Sequence, residues 1–233
     1  MVSTLYLVPE WFLNLSLIFQ LLLTIISLGI GIVSLRINSY CKSREYKLFG
    51  AGFILIALSY VFWTGLNLFV LTRIREGVEA LELTTIATIG AVMLYTYFLL
   101  FIIGLITLTY LNLDIKGIRA YLLLVALGIL PVILSTEKAL AFFIITALLI
   151  LFMTTHYLRV YQKKKTVNRL MTLSAFALLF ISRIDYFYSN TNHIHYVLGH
   201  SIEIIAYLLL LINLVLAMKK ASNPQKRVRN KKK

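Results

Sequence analysis

The chain has 233 residues, 60% of them hydrophobic and only 14% charged, with a net charge of +14 and a single cysteine, Cys41. Soluble domains average about 45–50% apolar and about 25% charged residues, so the composition excludes an ordinary soluble domain and points to an all-α, polytopic membrane protein. One cysteine excludes an intrachain disulfide. The positive charge argues for nucleic acid only if it is not explained by membrane topology.

Seven apolar runs follow in chain order: 11–35, 48–70, 84–110, 118–136, 139–160, 170–188 and 197–218. Each meets the need for about 20 predominantly apolar residues, and together they predict a seven-transmembrane helix bundle. The fourth run is the shortest, because Pro131 interrupts it and "STEKA" follows closely. The first reads as a span and not as a cleavable signal, since no basic residue precedes it and no A-x-A site follows. Connections are short and no internal repeat is visible. Residues 1–218 are therefore expected to form one membrane domain, and 219–233 a basic tail.

Lys and Arg set the orientation. Nineteen of the 23 fall on one side: Arg36 to Lys47, Lys116 and Arg119, Arg159 to Arg169, and Lys219 to Lys233. Arg73, Arg75 and Lys138 fall on the other side, and Arg183 lies within a span. This asymmetry predicts an external N-terminus and a cytoplasmic C-terminus in the cell membrane. The +14 is then mostly a topology signal. The tail "NPQKRVRNKKK" predicts contact with anionic lipid and no nucleic acid. Tyr6, Trp11, Tyr186, Tyr188 and Tyr196 read as an outer interface belt, and Tyr40, Tyr46, Tyr110, Tyr121, Tyr157 and Tyr161 as an inner one. Tyr60, Trp63, Tyr95, Tyr97 and Tyr207 fall deeper, where packing is the simplest role.

One stretch breaks the hydrocarbon pattern. "SRIDYFYSNTNHIHYVLGHSIEIIAY" (182–207) holds Arg183, Asp185, His193, His195, His200 and Glu203. Counted from the ends of the two runs, Arg183 is roughly 7–8 Å deep and Glu203 about 9 Å deep, in the same leaflet. Tyr196, His200, Glu203 and Tyr207 share one helical stripe, which should face the bundle because ionisable groups avoid lipid. Arg183 and Asp185 are about 200° apart around their helix, so at most one of them faces the last span. The stretch admits three readings. It is a structural Arg183–Glu203 ion pair with His200 adding a hydrogen bond, or an outward-opening polar pocket for a small ligand or for protons. It is otherwise a metal site drawn from His193, His195, His200 and Glu203.

Known seven-helix chemistries fit poorly. Retinal would need a lysine inside the last span, and Lys219 and Lys220 lie at its end. A bis-histidine haem would need two imidazoles at one depth, and His156 and His200 lie near opposite ends. No cofactor is therefore expected. A metal-dependent intramembrane hydrolase of the ceramidase type would carry a His-x-x-x-His pair on its last helix. Here His195 and His200 are five apart, and the first four runs hold no histidine.

The terminal helix "LGHSIEIIAYLLLLINLVLAM" places His200, Glu203 and Tyr207 at its outer end, followed by a Leu-rich run and a basic stop. In this texture, and in its N-out layout without large loops, the chain resembles the seven-helix sensor modules of prokaryotic signalling proteins. The resemblance implies a small sensor or accessory subunit with His200, Glu203 and Tyr207 as pocket residues. Such modules often precede an output domain. None follows Lys233 here, which implies a separate cytoplasmic output protein as partner. The alternatives are a proton-coupled transporter, against which no acid is expected to reach the membrane midplane, and the metal-dependent intramembrane hydrolase, which would need at least three convergent metal ligands.

Overall fold

The structure, a computed structural model, describes residues 10–76, 83–113, 117–188 and 193–221. Among these residues every regular element is a helix: α1 (Glu10–Cys41), α2 (Arg44–Glu76), α3 (Leu83–Asn112), α4 (Ile118–Leu134), α5 (Lys138–Lys163), α6 (Val167–Tyr188) and α7 (His193–Ala221). Six stretches are long and apolar enough to cross a membrane: Leu15–Cys41, Arg44–Phe69, Thr88–Asn112, Lys138–Lys163, Val167–Tyr188 and Ile194–Lys219. The helices outrun the predicted apolar runs because a backbone that satisfies its own hydrogen bonds has no reason to stop at the first polar residue. The predicted interface residues Tyr6 and Trp11 and most of the basic tail lie outside the described side chains.

The fourth run departs from the expectation. α4 has 17 residues and ends at Leu134, one turn after Pro131. Proline removes a backbone donor and restricts what precedes it, so a helix seldom continues far past it. At 1.5 Å per residue α4 is about 26 Å long, below the ~30 Å hydrocarbon thickness.

Six helices form a ring. α1, α2, α3, α5, α6 and α7 pack each on the next, α7 closes back onto α1, and α4 lies outside against α3 and α5. α3 and α5 run in the same direction. Lys138 lies near the Tyr95 ring (5.9 Å), Phe142 stacks on Phe98 (4.4 Å), and Leu111 and Tyr157 line one cavity at the far end. α4 returns the chain between those ends: Tyr121 at its start meets Thr107 (3.0 Å), and Gly128 packs on Ile102 and Ile106.

Lipid tails are as apolar as leucine, so helices in a membrane associate through close packing and not through burial from water. Two glycine pairs supply it. A Cβ on Gly104 would come within 2.8 Å of the Gly52 carbonyl oxygen, and one on Gly50 within 3.0 Å of the Gly31 oxygen. Only glycine lets α2 approach both neighbours this closely. The ring interior is filled by Phe53, Ile56, Tyr60, Phe101, Phe176 and Tyr207, while Ile25, Val61, Leu122, Leu148 and Ile212 are exposed on its outside.

Candidate functional site

The ring encloses one ionised cluster. Arg183 of α6 and Glu203 of α7 are 2% and 1% exposed, and the guanidinium Nη2 donates to Glu203 Oε1. Burial of two charges is costly unless they are paired and their remaining valences are met. Here the carboxylate's are met from three helices. Tyr60 of α2 donates to Glu203 Oε1 (2.7 Å), and Tyr186 of α6 donates to Glu203 Oε2 (2.8 Å). The Arg183 guanidinium also lies over the Phe101 ring (4.8 Å) and the Tyr186 ring (5.2 Å), the electron-rich faces that attract a cation.

Tyr186 also lies 2.6 Å from His200 Nδ1. The tyrosine has one hydroxyl proton. If it goes to Glu203, the imidazole must donate from Nδ1 to the tyrosine oxygen. With His200 neutral in that tautomer, Arg183 and Glu203 balance and the cluster carries no net charge. Two of its atoms, Arg183 Nε and His200 Nε2, are buried without a hydrogen-bond partner among the described residues. Gly199 makes the arrangement possible, since a Cβ there would come within 2.9 Å of the Tyr186 ring.

The stripe predicted on α7 is brought together in part. His200, Glu203 and Tyr207 are buried at 5%, 1% and 1% exposure. Tyr207 packs edge-on to Tyr60 (6.4 Å), and Tyr196 lies against His200 with ring centroids 4.4 Å apart. Asp185 is elsewhere. The half-turn that separates it from Arg183 carries it to the α7 start, where its Oδ1 is 3.3 Å from His195 Nδ1, and the His195 side chain is 38% exposed. The His193 side chain lies outside the described residues. Among those residues no group of three or more His, Cys, Asp or Glu could hold a metal ion.

Two expectations about depth and role need correcting. α7 begins at His193, not Val197, so Glu203 lies about 15 Å into its helix, and its partner Tyr60 lies at the middle of α2. An acid therefore does come close to the middle of the bundle. Tyr186, read as an interface anchor, is 3% exposed and bridges Glu203 and His200. Its aromatic type near a helix end matched a belt residue. Its place on the Arg183 face, three residues on, was the available signal.

A second polar cluster abuts the first. Asn67 donates to Gln20 Oε1 (2.8 Å), and Gln20, fully buried, donates to Ser16 Oγ (2.9 Å). The Tyr196 hydroxyl is engaged by Ser16, Gln20 and Trp63. Sequence reasoning missed it, although Ser16 and Gln20 are spaced i, i+4 on an otherwise apolar helix.

The fold and cluster define an integral membrane protein, a multi-pass helical bundle with a charged pair buried in its interior. No family model matches the chain, and comparisons with curated proteins and with solved structures find no match either.

Proposed function

We propose that the chain is a small sensor or accessory subunit of the cell membrane, without chemistry of its own. One observation carries this reading: the Glu203 carboxylate is taken up by three donors, Tyr60, Arg183 and Tyr186. A carboxylate so engaged is a poor metal ligand or general base, which leaves an intramembrane hydrolase without support. It is well placed to make the relative packing of α2, α6 and α7 all-or-none, because separating any of them strands a buried charge. A two-state packing of this kind is what a signal-bearing bundle needs. The output passes to a separate cytoplasmic protein, and the basic residues after α7 lie on anionic lipid.

In this reading the chain crosses the bilayer seven times, with its N-terminus outside and its C-terminus in the cytoplasm. The parallel course of α3 and α5 supports the count, since α4 has to return between them. Lys42, Arg44, Lys163 and Lys164 at the end of the ring where α7 finishes support the orientation. With Cys41 replaced, a cysteine at Asn192 should react with an external impermeant label and one at Lys164 should not. The reverse pattern overturns the orientation.

A proton-coupled carrier is the second reading. It is favoured by two polar runs, Asn67–Gln20–Ser16–Tyr196 and His200–Tyr186–Glu203, which meet where the Tyr196 and His200 rings pack edge-on. Purified protein in liposomes with an entrapped pH indicator separates the two. A sensor leaves an imposed proton gradient as stable as in empty liposomes. Dissipation that Glu203→Gln abolishes sinks the sensor reading and establishes the carrier.

A further inference from the structure

The lipid-facing side of α5 is not apolar throughout. Phe152, His156, Arg159 and Lys163 are spaced i, i+4, i+7 and i+11, so they form one stripe along the helix. Arg159 and Lys163 are exposed, and both lie within electrostatic reach of the His156 imidazole. His156 is part-exposed, with its ring edge-on to Tyr157 (5.5 Å). Away from the cations the row continues at four-residue steps through Phe152, Leu148 and Ile144, all exposed. Polar donors and an apolar track therefore adjoin on the outside of the bundle.

Nothing in the neighbouring helices answers these groups. α5 packs on α3, α4 and α6. α3, α4 and α5 carry no acid, and the acid of α6, Asp185, is at the opposite end of the bundle. His156, Arg159 and Lys163 make no hydrogen bond or ion pair with any described residue. The two cations alone could be met by water at the end of the helix. The histidine could not. It lies seven residues, about 10 Å, from Lys163, whereas the headgroup layer is roughly 5–7 Å deep in each leaflet. In either tautomer an imidazole keeps an N–H donor, which is costly to leave unmatched in hydrocarbon. At that depth on the outside of a bundle, the acceptors to hand are those of a lipid.

We propose that this stripe is a binding site for one anionic glycerophospholipid. Its phosphate lies on Arg159 and Lys163. Its glycerol ester carbonyl, which sits just below the phosphate, accepts from His156 one turn deeper. An acyl chain follows Phe152, Leu148 and Ile144. A zwitterionic head group would bring its own cation toward two unneutralised cations, so a net negative lipid is preferred. The site needs only that α5 crosses the bilayer and does not depend on the sensor reading. It is also distinct from the tail after α7.

The test uses the full chain in nanodiscs of phosphatidylcholine with phosphatidylglycerol. Phe152→Trp keeps an aromatic ring on the track and supplies a local fluorophore, with Trp11 and Trp63 subtracted as the signal of the parent chain. Quenching by acyl-brominated phosphatidylglycerol is expected to show a preference of about tenfold over brominated phosphatidylcholine. Arg159→Gln with Lys163→Gln should abolish that preference. Arg36→Gln removes an exposed cation from the same end of α1, across the ring, and should leave it unchanged. In native mass spectrometry, His156→Leu should release phosphatidylglycerol more readily than the parent chain, while His156→Gln, which keeps a donor, should retain it. Three results would each overturn the proposal: no preference in the parent chain, an equal loss in Arg36→Gln, or release unchanged in His156→Leu.

Discussion

α2, α6 and α7 meet twice, in opposite ways. Near mid-bundle they close on one another through Tyr60, Arg183, Tyr186 and Glu203, with each carboxylate oxygen hydrogen-bonded. Toward the basic end the same helices part around the cavity, and Asn213 keeps a buried oxygen without a partner. The difference lies in where the polar groups find their complements. In a low-dielectric interior an unmatched charge is intolerable, so the ion pair must be completed within the protein. A neutral amide oxygen costs far less to leave unpaired, so the basic end tolerates one. The first region holds the helices in register, and the second packs them less closely.

Mutations can break or sharpen this contrast. The largest effect should come from stranding one charge. Arg183→Ala or Glu203→Ala is expected to cost about 3–5 kcal/mol in reversible unfolding measured by steric trapping in bicelles. The double change should cost less than the sum, because it leaves no orphan, and Arg183→Met with Glu203→Leu should come close to wild type. Strict additivity would show that the two residues are not partners.

Next in size is the loss of a hydroxyl on the carboxylate. Tyr186→Phe should cost about 1.5–3 kcal/mol and Tyr60→Phe should fall at the low end of that range, since Tyr186 also holds His200. Gly199→Ala should resemble Tyr186→Phe, because the new methyl displaces the same ring. If Tyr60→Phe proves the more damaging, the bridging role given to Tyr186 is wrong.

At the basic end the effects should be smaller. Asn213→Leu removes two neutral hydrogen bonds and also one unsatisfied oxygen, so the expected change is within about 1 kcal/mol. A loss as large as that of Glu203→Ala would mean that the two ends do not differ as argued. Smallest of all is Asp185→Asn, at about 0–1 kcal/mol and reduced further by salt, since its His195 partner is at the exposed end of the ring. That result against Arg183→Ala, two residues away, would measure the half-turn that separates them.

The long apolar helices were legible in the chain, because the bilayer imposes them. The Arg183–Glu203 pairing was legible for a related reason. Two charges at similar depth on consecutive helices have few alternatives, and the 100° helical step decides between Arg183 and Asp185. The roles of Tyr60 and Tyr186 were not legible, since their residue types fit packing and belt positions equally well. Nor was the cavity, which draws on five helices and has no local pattern.

The sequence by itself therefore determined what each helix is and which residues had to avoid lipid. Hydropathy and charge act residue by residue, so both can be read without knowing any neighbour. Only the tertiary structure decided which helices close the ring, that α4 lies outside it, and that Glu203 meets Tyr60 while Asn213 meets Asn168 and Thr172 of α6. Those facts depend on how closely backbones approach. Between α1, α2 and α3 that distance is set by where Gly31 meets Gly50 and Gly52 meets Gly104, a property of pairs of helices that neither helix carries alone.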